Sequence, residues 1–167
     1  MLEEKSKTFK EIRNYVFYLL RYRDLSKKEI KEKLCKKGYP LSVIEEVVTY
    51  LEEKKFIDDE GFAERFSLSR IKRGFGQNKI KSLLKLRGIP ESIIDKVLRE
   101  IFCKVGEEEI ARRLLFKKRY LPIKKTVKRE ENFKQISRIY RFLSHRGFSY
   151  SVIEKIIREE TSLDFYE

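Results

Sequence analysis

The chain is 167 residues long, with 41% apolar and 40% charged side chains, so it holds enough apolar matter for a core but leaves wide solvated faces; thin layers fit this better than one deep globule. Its longest apolar run, Tyr15 to Leu20, is far too short to span a bilayer, and the acidic start Met1-Leu2-Glu3-Glu4 is not a signal peptide, which places the protein in the cytoplasm. A net charge of +13 draws it to polyanions such as nucleic acid or an acidic protein surface.

Apolar residues at Phe9, Ile12, Val16 or Tyr15, Leu19 and Leu20 recur at helical spacing from Thr8 to Leu20. Ser26-Lys27-Lys28-Glu29 carries a capping-box signature, with Ile30, Leu34 and Cys35 following on a second helix. Leu41 to Lys54 is a third, with Ile44, Val47, Val48 and Leu51 facing inward. Asp58 or Asp59 caps the next helix, which carries Phe62, Ala63, Phe66 and Ile71 and breaks at Gly74-Phe75-Gly76. Asn78 to Arg87 follows, with Ile80, Leu83 and Leu84, and then Pro90 to about Lys104. Glu107-Glu108-Glu109 opens a helix with acids well placed against its dipole, and Ile110, Leu114 and Leu115 point inward. Arg119 to Asn132 is a basic link containing Pro122. Phe133, Ile136, Ile139, Tyr140 and Leu143 mark a longer helix, Tyr150 to Glu160 the last, and the tail from Thr161 is expected to fray.

One corner is written three times: Lys37-Gly38-Tyr39, Arg87-Gly88-Ile89 and Arg146-Gly147-Phe148. Each is followed, after three spacers, by apolar–Ile–acid–x–apolar–apolar. At each corner a helix ends on a glycine in the left-handed conformation, with cations in the last turn, and another begins. Serines 42, 92 and 151 stand three residues before an acid and are candidates to help those starts. The expected class is therefore all-α: three tandem three-helix repeats in an elongated, curved arrangement, at 1–55, 56–105 and 106–167. Units this small gain burial from stacked neighbours.

The matching residues are Leu19-Leu20, Ser26-x-x-Glu29-Ile30-x-x-Lys33-Leu34-x-x-Lys37-Gly38-Tyr39, Ile57-Asp58-Asp59-Glu60-x-Phe62-Ala63-x-x-Phe66, Ser69-Arg70, Gly76-x-x-Lys79-Ile80-x-x-x-Leu84-x-x-Arg87-Gly88-Ile89, and Arg138-Ile139-Tyr140-Arg141-Phe142-Leu143-x-x-Arg146-Gly147-Phe148, of which the Asp58-to-Ala63 segment and the last block are the specific parts. Over nearly the whole length they resemble the RecX family, regulatory proteins that modulate the recombinase RecA. The resemblance implies tandem three-helix units, binding in the helical groove of the RecA–DNA filament, and inhibition of its recombinase, ATPase and coprotease activities. It also implies weak, non-specific binding to single- or double-stranded DNA. A monomer is expected. The link from Arg119 to Asn132 falls outside the resemblance.

The charge is not spread evenly. Residues 1–64 are neutral, whereas 65–88 carry eight basic and no acidic side chains and 104–146 carry fourteen basic and five acidic. Candidate contacts in the first block are Arg70, Lys72, Arg73, Lys79, Lys81, Lys85 and Arg87; in the second, Arg112, Arg113, Lys117, Lys118, Arg119, Lys124, Lys125, Arg138 and Arg141. The helix start after Gly74-Phe75-Gly76 offers free N–H groups beside cations, a setting for phosphate or carboxylate. Both blocks are expected to line one side of the molecule. Phe75, Tyr120 and Tyr22 sit beside cations, as base-stacking residues do, with packing or cation–π contact the default for Phe75 and Tyr120. Most other Phe and Tyr read as core.

No glycine-rich phosphate loop and no GxSxG is present, and the single histidine, His145, pairs with no serine or cysteine in recognisable spacing. Catalysis, cofactor and metal are not expected. Cys35 and Cys103 are in no CxxC and read as buried reduced thiols. Two other classes remain open: a DNA-binding helical repeat without a recombinase partner, and an adaptor whose cations only keep it soluble.

Overall fold

The computed structural model describes residues 2–121, 123 and 129–161, with side chains from 7 to 121, at 123 and from 130 to 161. Pro122, most of the basic link (Lys124, Lys125 and Lys128 included) and the tail beyond Thr161 lie outside the described residues.

The described residues form α1 (Leu2–Tyr22), α2 (Lys27–Lys36), α3 (Leu41–Glu53), α4 (Asp59–Lys72), α5 (Gln77–Leu86), α6 (Glu91–Val105), α7 (Glu107–Lys117), α8 (Arg129–Arg146) and α9 (Tyr150–Thr161), with no strand among them. The all-α expectation holds, and helix ends fall within a few residues of their sequence signals except at α1, which begins six residues earlier. Two compact units result. The first holds Met1–Arg65 and Leu84–Ile94; the second holds Phe66–Leu83 and the described chain from Asp95 onward.

In the first unit, Ile12 and Val16 of α1, Ile30 and Leu34 of α2, and Val43, Ile44, Val47, Val48 and Leu51 of α3 form one buried cluster with Leu25 and Ile57. The capping box at Ser26 is formed: its hydroxyl accepts from the Glu29 N–H at 3.2 Å and the Glu29 carboxylate accepts from the Ser26 N–H at 3.1 Å. Such a cap stabilises a helix by about 1 kcal/mol. The same hydroxyl donates to the Arg87 carbonyl at 2.7 Å, so the start of α2 is tied to the end of α5. Asp58 caps α4 through the Glu60 N–H at 3.0 Å. Asp59 instead turns to α2 and accepts from the Lys27 N–H at 2.9 Å. Burial pushes its carboxyl up, and the bond from Lys27 opposes that.

The second unit buries Ile110, Ala111 and Leu115 of α7, Ile139 and Leu143 of α8, and Ile153, Ile156 and Ile157 of α9, with Ile123 and Phe148. Arg112 ties α7 to α9. Its guanidinium meets Glu108 at 3.1 Å, Glu160 at 2.9 Å, and Glu159. Lys155 closes the group on Glu108 at 2.7 Å. Hydrogen bonds from Lys155 and then Arg112 pull the Glu108 carboxyl below its usual range.

All three repeated corners take the expected form. Gly38, Gly88 and Gly147 have φ of +83°, +74° and +78°. In each, the next residue's N–H reaches back to the helix: Tyr39 to Leu34, Ile89 to Leu84, and Phe148 to Leu143, at 3.4, 3.2 and 3.2 Å. The help expected from Ser42 is not given, because Pro40 is the N-cap of α3 and no side chain caps it.

One expectation about burial fails, and a second holds only in part. Cys35 and Cys103 are exposed. At 100° per residue, Cys35 is rotated off the line of Ile30 and Leu34, and Cys103 lies across the helix from Ile101. Of the aromatic side chains described, Phe62 and Phe148 are buried and Phe9, Tyr15, Phe17, Tyr39, Tyr50, Phe102, Tyr120 and Phe142 are partly buried against the two cores, while Tyr18, Phe56, Phe116, Phe133, Tyr140 and Tyr150 are exposed. Tyr140 is turned from its buried neighbour Ile139, and Phe133 precedes Ile136, where the packing of α8 begins.

Candidate polyanion-binding surface

The cations of the first block separate into two sets. Lys81 pairs with Asp95 at 2.7 Å, Lys85 with Glu91 at 2.8 Å, and Arg87 approaches Glu29 at 4.0 Å. Acids outside the 65–88 stretch thus neutralise cations within it. Arg70 stacks over the Phe66 ring at 4.5 Å. Lys72, Arg73 and Lys79 form no ion pair among the described residues and are exposed.

The helix start after Gly76 is not free. Gly76 and Asn78 donate their N–H groups to the carbonyls of Arg146 and Gly147 at 2.8 and 3.0 Å. The Gln77 N–H donates to Glu107 at 2.9 Å, and the other oxygen of that carboxylate accepts from the Ser149 hydroxyl at 2.8 Å. A carboxylate does sit at this helix start, as the chemistry invites, but it is the chain's own. The α4–α5 turn therefore docks backbone-to-backbone on the α8–α9 corner. A Cβ on Gly76 would stand 2.5 Å from the Gly147 oxygen and the Phe148 nitrogen.

In the second block, Arg112 is committed to its three carboxylates. Among the described residues Arg113 meets only Glu109, at 3.1 Å, and both side chains are mostly exposed. Lys117, Lys118 and Arg119 are exposed at the end of α7, where Arg119 holds φ +58°. Arg138 lies 5.4 Å from the Tyr120 ring, and Arg141 is exposed on α8 with its Nε 3.4 Å from the Ser137 carbonyl. Lys124 and Lys125 are outside the described residues.

Within the second unit the two blocks meet. Lys72 and Arg73 at the end of α4, Arg113, Lys117 and Lys118 on α7, and Arg146 at the end of α8 surround one open groove of about 470 Å³. Arg146 donates to the Arg73 carbonyl at 2.8 Å. It also lies 5.2 Å from the Phe75 ring and 5.5 Å from the Phe142 ring, so Phe75 is held by cation–π contact. Tyr120 packs on Phe142 at 5.1 Å as well as on Arg138. Tyr22 is 72% exposed and edge-on to Tyr18 at 5.0 Å.

Arg146 is the contact that sequence reasoning missed. It reads as a helix-end cation at a repeated corner, and only the fold carries it to Arg73. Among the described residues no group of His, Cys, Asp and Glu is arranged to hold a metal ion, and no helix is long and apolar enough to cross a membrane.

The described residues thus define an all-α protein with an open cationic groove in its second unit. The family models of RecX match the chain as its first three-helix domain at residues 13–51, its second at 58–98 and its third at 106–157. The regulatory protein RecX of Chlorobium limicola is 33% identical over 144 residues, which is 86% of this chain and 85% of that protein. That of Mannheimia succiniciproducens is 30% identical over 154 residues, 92% of this chain and 96% of the relative. The RecX of Clostridium botulinum strain Alaska E43 is 30% identical over 142 residues, and there the chain spans 65% of the relative's length, just under two thirds. The crystal structure of RecX from Lactobacillus salivarius superposes with a TM-score of 0.76 at 24% identity, covering 98% of this chain and 100% of that one. The chain belongs to the RecX family of regulatory proteins.

Proposed function

We propose that this chain regulates recombination by binding the filament that RecA forms on DNA, within its helical groove, and by limiting the filament's recombinase, ATPase and coprotease activities. Family membership supports the regulatory role. The carrying observation is the convergence of Lys72, Arg73, Arg113, Lys117, Lys118 and Arg146 on one groove of the second unit. Cations gathered from α4, α7 and α8, none of them paired with a buried acid among the described residues, are suited to an acidic, phosphate-bearing assembly. The committed cations Lys81, Lys85, Arg87 and Arg112 contribute to the fold instead.

Binding to bare single-stranded DNA and to RecA-coated single-stranded DNA, each followed by anisotropy across a salt series, tests the proposal. Preference for the coated strand at every salt concentration is the expected result. Equal affinity for both reduces the protein to a nucleic-acid module, and no binding to either removes the proposal. If all the cations of the groove met phosphates of a single strand, the log–log salt slope would approach about −4.

A further inference from the structure

The floor of the cationic groove is not built for nucleic acid. Ile71, Val105, Ile110 and Leu114 line it, and no aromatic side chain does. Single strands are held by bases stacking on aromatic faces and by phosphates tracking a cationic path. Phe75, next to the groove-lining Gly74, is half-buried and already engaged by Arg146. A phosphate backbone offers nothing to fill an aliphatic floor. An acidic polypeptide segment offers both halves of the match: carboxylates for the rim and one aliphatic side chain for the floor.

The floor is also formed deliberately. Gly74 has φ +75°, and a Cβ on it would fall 2.7 Å from Leu114 Cδ1. Glycine at this position lets α7 approach the end of α4 closely enough for Leu114 to lie under the rim. Among the described residues Arg113 pairs only with Glu109 on its own helix, a surface pair that an incoming carboxylate displaces at little cost.

From the aliphatic floor and the cationic rim we infer that this groove docks an acidic protein segment carrying a single leucine-like anchor, rather than nucleic acid. The inference rests on the proposed binding to a protein-coated strand, and it names the chemistry of the contact.

The test uses the full chain and fluorescein-labelled probes: a twelve-residue Asp/Glu-rich peptide with one central leucine, the same peptide with alanine in its place, and a twelve-nucleotide oligothymidine. The leucine peptide should bind at least about tenfold more tightly than the alanine peptide, as expected for burial of a leucine side chain. It should also lose about tenfold or more in the Lys117→Glu/Lys118→Glu variant, and excess oligothymidine should fail to displace it. Far-ultraviolet circular dichroism checks that the variant is folded. Equal affinity for the two peptides, displacement by oligothymidine, or no binding of either peptide would overturn the inference. Filament binding is read separately on RecA-coated DNA. Filament binding without leucine preference sinks the groove inference alone, and leucine preference without filament binding sinks the proposed function alone.

Discussion

Gly38 and Gly147 occupy the same corner of the same repeated sequence and have different tasks. Both cap a helix with positive φ. Around Gly38 a Cβ would meet nothing within 4 Å, whereas at Gly147 it would land on the backbone of Lys79, with Cα at 2.8 Å. The first corner only turns the chain. The second is a docking point, where the α4–α5 turn donates two backbone N–H groups to Arg146 and Gly147. A repeated motif thus specifies local geometry, and the packing of each copy determines what a change there costs.

Alanine at these positions puts that difference to measurement. Gly147→Ala, or Gly76→Ala on the opposing turn, should cost more than about 3 kcal/mol in urea unfolding, since backbone must give way. Gly88→Ala should cost an intermediate amount, about 2–3 kcal/mol, because Lys28 Cδ can swing away but its Cβ, at 2.7 Å, moves only with α2. Gly38→Ala should cost only the strain of a left-handed alanine, about 1 kcal/mol. Equal losses at Gly38 and Gly147 would show that the docked corner adds nothing.

A second contrast sets the Arg112 hub of the second unit against the apolar cluster of the first. Arg112→Met should lower stability at neutral pH by about 1 kcal/mol, discounted for the partial exposure of its partners. The Glu108 carboxyl is depressed in the folded state, so its contribution is present above the ordinary carboxylate range and is lost as pH falls through the folded-state value. The gap in Tm between wild type and Arg112→Met should therefore narrow from pH 7 to pH 3. A gap that stays constant or widens would remove Glu108 from the account. The smallest effect is expected at Lys55, a lysine at φ +60° after α3, where Lys55→Gly should raise stability by up to about 1 kcal/mol in thermal melts.

The parts of the fold legible in the sequence are those set by neighbours along the chain. The Ser26 box and the three glycine caps each need only residues within one turn or two, and all four form. Charge was misleading for the opposite reason. Lys81 finds Asp95 fourteen residues away, and Arg87 finds Glu29 on another helix, so a stretch without acids in sequence is not one without acids in space. The free helix start expected after Gly76 is filled by Glu107, thirty residues on. The groove itself was half legible. Its lysines and arginines stand out by composition, but Arg146 joins them through a contact seventy-three residues long, and the aliphatic floor comes from residues whose spacing marks only core. The two cysteines, and aromatics such as Tyr140, depart from the expected core because an apolar residue beside a stripe is rotated away from it.

The central claim is that the cations of the groove, and not those committed to ion pairs, bind the filament. It is tested most directly by comparing Lys117→Glu/Lys118→Glu with Lys81→Glu/Lys85→Glu for affinity toward RecA-coated DNA at one fixed salt concentration. The first pair should weaken binding by about tenfold or more and the second by less than about threefold, provided both variants are folded. Equal losses in the two variants, or a larger loss in the second, would contradict it.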